Sequence, residues 1–143
     1  MAGEGSAKTG MSSMNFSPLL QAPLAIQAHA LAAILAFVIG PVIFFRPKGG
    51  ALHRLLGRVW VLAMAVVIAS SFFIFQLRMW GPFSPIHLLS AWSAHALFQG
   101  VMLARRGRIA EHRALMKNLY FGALIAAGTF TFLPGRIMNE VLF

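Results

Sequence analysis

The residues of this chain best equipped for chemistry are five histidines and the arginines beside two of them. His53-Arg54 and His112-Arg113 each begin seven residues after the first arginine of a basic, glycine-containing turn, Arg46-Pro47-Lys48-Gly49-Gly50 or Arg105-Arg106-Gly107-Arg108. Four residues beyond each pair's arginine stands another base, Arg58 or Lys117. His29 lies seventeen residues before Arg46 and His87 eighteen before Arg105, a nearly equal depth when counted from the turns. Paired levels of this kind, His29 with His87 and His53 with His112, suit two haems of b type. Bis-histidine ligation needs two imidazoles facing each other at one depth across helices, with the haem plane between them. Arg54, Arg113, Arg58 and Lys117 would then neutralise the inner propionates, and Arg78 and Arg136 the outer ones.

The same residues also serve plainer ends. A His-Arg pair at the mouth of a membrane helix anchors it at the interface, and can meet a quinone or a lipid headgroup there. His29 and His87 can join helix to helix through hydrogen bonds, with Gln27, Ser90 or Ser93 as partners. His95, followed by Gln99 one turn on, adds a buried polar stripe that would make a helix contact, a quinone contact or a relay.

The elements that carry these residues are long apolar runs. The chain has 143 residues, 59% hydrophobic and only 10% charged, with mean hydropathy +0.76. A water-soluble domain of this length exposes more charge than that. Four runs, at 24–45, 59–77, 86–104 and 114–133, are each about the twenty residues needed to cross a bilayer, and none contains an acid. The first two and the last two repeat one pattern, an apolar run, a basic turn and a His-Arg pair. The fold class expected is all-α, an integral membrane four-helix bundle made of two helical-hairpin repeats. Residues 1–18 form a polar, mobile tail and 19–143 one transmembrane domain. Gly40-Pro41 predicts a kink late in the first helix. Ala65 and Ala69 in the second helix, and Gly122, Ala123, Ala126, Ala127 and Gly128 in the fourth, predict close helix approach through small residues. Trp80 and Phe83 suit the headgroup level, and Ser84-Pro85 starts the third helix.

Net charge is +9, and nine of the twelve Lys and Arg lie in or beside the two turns. This distribution argues against nucleic acid. It places the turns on the cytoplasmic side of a bacterial inner membrane, both termini outside, with anionic headgroups as partners of the turns. The absence of cysteine excludes disulfides, iron–sulfur clusters and thiolate metal sites. With three acids in the whole chain, carboxylate-based hydrolysis has no candidates and no catalytic residue is assigned. Glu111 is expected to help start the fourth helix and to pair with Arg108 or Lys117.

Taken together, R-x-K-G-x-x-x-H-R-x-x-G-R at 46–58, H-R-x-x-M-K at 112–117 and T-F-x-P-G-R at 131–136 resemble a family of small bacterial predicted membrane proteins. That family's shared domain has no assigned activity. The likeness covers residues 27–136 and implies a four-helix inner-membrane fold. A looser likeness is to the four-helix core of cytochrome b561, where alternate helices supply two histidine pairs. It implies haem at His29/His87 and His53/His112, although here the inner pair lies at the helix mouth and the flanking helices of b561 are missing. The favoured reading is a small b-type electron-transfer protein acting with quinol or a respiratory partner. The rivals are a non-catalytic accessory or scaffold subunit, and a quinone- or lipid-binding membrane protein using His53, Arg54, His112 and Arg113.

Overall fold

Apolar length and two flanking prolines set the first long helix. In the computed structural model, which describes residues 14–74, 85–132, 134 and 137–142, a short helix α1 (Ser17–Leu20) precedes α2 (Leu24–Phe45). Pro23 fixes the turn into α2, and the extended backbone of Arg46, ahead of Pro47, ends it. Helix α3 (Ala51–Ser71) follows after the Gly49-Gly50 turn. Both α2 and α3 are long and apolar enough to cross a membrane, with mean hydropathies of 2.3 and 1.7.

Helix α3 begins eight residues before the start expected from hydropathy and ends six residues before the expected finish. Its first eight residues hold Ala and Leu, which favour helix, but also His53, Arg54, Gly57 and Arg58, which keep the stretch from counting as an apolar run. At the far end, the Ser70 hydroxyl donates to the Val66 carbonyl and that of Ser71 to the Ile68 carbonyl. Such back-bonding competes with helix continuation.

Helix α4 (Pro85–Arg105) matches its expected run to within a residue at each end. Gly107 then adopts φ +74°, and the amides of Gly107 and Arg108 donate to the carbonyls of Ala104 and Leu103. This is a Schellman stop, which a left-handed glycine makes cheap. The fourth run starts earlier than expected, with α5 (Ile109–Asn118), and continues as a π-helix (Leu119–Ala126), α6 (Ala127–Thr129) and a 3-10 turn (Phe130–Phe132). A final helix α7 (Ile137–Leu142) lies beside α1.

The described residues contain no strand. Helix α2 packs on α3, α3 on α4, α4 on α5 and the π-helix, and the π-helix returns to α2. Trp60, Met64, Leu97, Leu119, Tyr120 and Leu124 are buried together between them. Because α3 and α5 each lead away from a basic turn, the two turns lie at one end, opposite α1 and α7. Residues 14–18 lie beside the last helix. The Asn15 amide donates to the Val141 carbonyl at 3.0 Å, and Leu19 and Val141 are buried. Gln27 bonds to neither histidine helix; its amide caps α1 by donating to the carbonyls of Leu20 and Ala22.

Gly40-Pro41 lies inside α2, which continues through it. Proline has no N–H, so the carbonyl of Phe37, four residues earlier, loses its helical donor. The Tyr120 hydroxyl replaces that donor at 3.0 Å, and the Trp60 indole N–H donates to the neighbouring Ala36 carbonyl at 3.1 Å. Gly40 makes room for this. A Cβ there would lie 2.2 Å from Tyr120 Cε2. The tyrosine ring also meets Phe44 edge-on, with centroids 5.1 Å apart.

The small residues singled out for close approach behave differently. Ala65, Ala69 and Ala126 are exposed, and a Cβ at Gly122 or Gly128 would meet nothing within 4 Å, whereas Ala123 packs against the core and Ala127 is half-buried. The closest approaches at glycine are at Gly40 and at Gly100, where Met116 Cε fills the space of the missing Cβ. Spacing alone marks a stripe of small residues; only the facing side chain shows whether it is used. Gly40→Ala should therefore lower stability by about 1–3 kcal/mol, as overpacking against a ring does, while Gly122→Ala should not destabilise. Thermal unfolding in detergent, followed by circular dichroism, compares the two. A larger loss for Gly122→Ala than for Gly40→Ala would contradict this packing.

Candidate functional site: the histidines and the basic end

The histidines fall at two ends of the helices, as their spacing suggests, but their partners are not one another. His29, half-buried on α2, places Nδ1 3.0 Å from both the Val67 carbonyl and the Ser70 hydroxyl of α3. With the Ser70 proton given to Val66, Nδ1–H is the donor, to the Val67 carbonyl and the Ser70 oxygen. Beside this joint, the hydroxyls of Ser71 on α3 and Ser90 on α4 lie 2.6 Å apart, both residues buried. His87, one turn before Ser90, packs against Phe72 with ring centroids 6.1 Å apart. The outer end is thus a seam of short polar side chains gathered on the last turn of α3. Ser70 and Ser71 were absent from the sequence-derived candidates. Their signal was a pair of hydroxyls at the depth of His29 in an otherwise apolar run.

The Ser71–Ser90 bond sets α4 against the end of α3, and His87 lies one turn nearer the start of α4 than Ser90.

At the basic end, His112 donates from Nδ1 to the Gly100 carbonyl at 2.8 Å, since a carbonyl can only accept. His53 is near enough to His112 and Lys48 to feel their charge. Its own Nδ1 is buried with no hydrogen-bond partner among the described residues. Lys48 Nζ donates to the Phe44 carbonyl in the last turn of α2, and Arg54 to the Gly49 carbonyl in the turn before α3. Glu111 pairs with Arg108 through two bonds of 2.6 and 2.7 Å. Among the described residues, no other ion pair forms. Arg46, Arg58, Arg105, Arg106, Arg113 and Lys117 are all exposed at that end. Arg78 and Arg136, expected near outer propionates, lie outside the described residues, as do Trp80, Phe83 and Ser84.

His29 bonds across to α3, and His87 packs on Phe72 just beyond the end of that helix. Trp60, Met64, Leu119 and Tyr120 fill the core between the helices. Among the described residues no group of three or more His, Asp or Glu gathers as a metal site. His95, expected in a buried polar stripe, is exposed on α4, with Gln99 half-buried.

A long apolar α2 and α3, a base-rich end and a second His-Arg turn are the features by which relatives can be sought. A family model described as predicted membrane protein (DUF2306) matches residues 26–141. The chain belongs to that family. No curated protein and no solved structure gives a significant match. Family membership makes the chain a predicted membrane protein and assigns it no activity. It agrees with the family resemblance read from the two turns, and gives no support to the likeness to cytochrome b561.

If His29 acts as a helix joint, His29→Ala and Ser70→Ala should each destabilise the protein and should couple. The expected coupling is about 0.6 kcal/mol, typical of polar pairs between membrane helices. A double-mutant cycle of unfolding in detergent measures it, and strict additivity would show that the two side chains act separately.

Proposed function

We propose that this is a non-catalytic integral protein of the bacterial inner membrane, a four-helix bundle of two hairpin repeats whose basic end rests in the cytoplasmic headgroup layer. One observation carries the reading: six exposed cations gather at a single end of the helices, where Glu111 is committed to Arg108. Cations so placed attract anionic lipid, each worth about 1 kcal/mol near a charged surface. They also favour retention of both turns on the cytoplasmic side.

The helices above that end supply the apolar body. Helices α2 and α3 have the length and hydropathy to span. Helix α4 matches them in length, its polarity coming from His87, Ser90, Ser93, His95 and Gln99. Ser90 meets Ser71, and His87 meets Phe72, which lowers the cost of carrying them into lipid. The fourth helical path, Ile109 to Phe132, completes the ring through Tyr120. In this reading the outer histidines and serines hold helices together, and the inner histidines and arginines set the depth of the bundle. Their roles are structural and electrostatic, and no reaction is assigned.

The chain has no cysteine, so single-cysteine variants report topology without background. Ala51→Cys and Ile109→Cys should react with an impermeant thiol reagent only from the cytoplasmic side, and Met14→Cys only from the opposite side. The protein should stay in the membrane through an alkaline carbonate wash. Labelling of the two turns from different sides overturns the arrangement of hairpins, and release by carbonate overturns insertion. In the same preparation, made from cells supplied with haem, the reduced optical spectrum should show no Soret or α band. A stoichiometric haem spectrum would replace the non-catalytic reading with the electron-transfer one.

A further inference from the structure

An open groove of about 700 Å³ lies between helices α3 and α4. Its lining is almost wholly apolar and includes Val61, Ala65 and Ala69 of α3, Phe72 just beyond it, and Ala94 and Val101 of α4. The groove exists because three of these positions are alanine; a larger side chain at Ala65, Ala69 or Ala94 would occupy it. Along α3, the register 72, 69, 65, 61 continues one turn further to Arg58. Along α4, the register 94, 98, 101 continues one turn further to Arg105. The Ser71–Ser90 hydrogen bond fixes the two helices against each other. Counting thirteen residues down α3 and fifteen down α4 from that bond, Arg58 and Arg105 lie within about 3 Å of the same level at 1.5 Å per residue. Both are exposed, and neither has a carboxylate partner among the described residues.

We infer that this groove is a binding site for one anionic phospholipid, its acyl chain along Ala65, Ala69 and Ala94 and its phosphate between Arg58 and Arg105. An apolar trough of this size that ends at two unpaired guanidinium groups matches a molecule with a long apolar tail and one anionic head. Guanidinium forks bind phosphate oxygens in pairs, with an added gain where water is sparse. The site deepens the membrane reading given above and rests on it. It distinguishes one lipid position from the general attraction of the basic end, because shape and charge must coincide there.

The test is native mass spectrometry of the full chain released from mild detergent, with phosphatidylglycerol or phosphatidylcholine of identical chains added at equal concentration. The wild type should retain phosphatidylglycerol at least about tenfold better than phosphatidylcholine, the scale of one charge-assisted contact. The double variant Arg58→Gln/Arg105→Gln should lose that preference. Ala65→Leu/Ala69→Leu, which fills the trough with every charge intact, should also retain far less phosphatidylglycerol. Circular dichroism of both variants, matched to wild type, shows that loss of lipid is not loss of fold. Equal retention of the two lipids by wild type overturns the site. So does a preference that survives the groove-filling variant, which would make it diffuse charge, or stronger retention of a neutral quinone. Release by carbonate wash removes the membrane reading and the site together, whereas a protein that inserts but shows no lipid preference loses only the site.

Discussion

The packing of this protein depends on one carbonyl. Pro41 deprives Phe37 of its helical donor inside α2, where the surroundings offer nothing in exchange, and an unsatisfied carbonyl in such a place costs several kcal/mol. The Tyr120 hydroxyl supplies the missing bond from the other end of the sequence. Once that bond is required, much else is constrained. Residue 40 must lack a side chain, the π-helix must present Tyr120 at that height, and Phe44 must turn its ring to receive the tyrosine edge. The Trp60 bond to Ala36 uses the adjoining carbonyl in the same way and brings α3 to the same turn of α2. A proline that could read as a defect is the place where three helical segments are joined.

Hydropathy identified α2 to the residue and α4 within one residue at each end, because both are bounded where an apolar run meets proline or charge. It was less informative for α3. That helix starts in a stretch whose Leu52, His53, Arg54 and Arg58 are compatible with helix yet not with lipid, so its beginning lies outside any apolar window. The π-helix had no signature at all, since its apolar residues also fit an ordinary helix. What reveals it is the set of contacts it satisfies, chiefly those of Tyr120.

The histidines show a different limit. Their spacing divides four of the five between two ends, and Gly49 and Gly107 of the two turns adopt positive φ. Spacing could not show which face each imidazole presents or which carbonyl it meets. Depth counted from a turn assumes that both turns lie at one height, which spacing along the chain does not set. The alanines of α3 mislead for a related reason. Ala65 and Ala69 have the spacing of a helix contact, yet the side they occupy opens onto a groove. In both cases the pattern along one helix is plain, and its meaning resides in the facing helix.

The bond from Asn15 to Val141 joins positions 126 residues apart. Synthesis proceeds from the amino end, so α1 must wait until the long helices between have been made before α7 arrives to cover Leu19. The clasp therefore acts as a closing step. A molecule halted after its fourth helical path would own all the core contacts of Trp60 and Tyr120 while its first helix stayed uncovered.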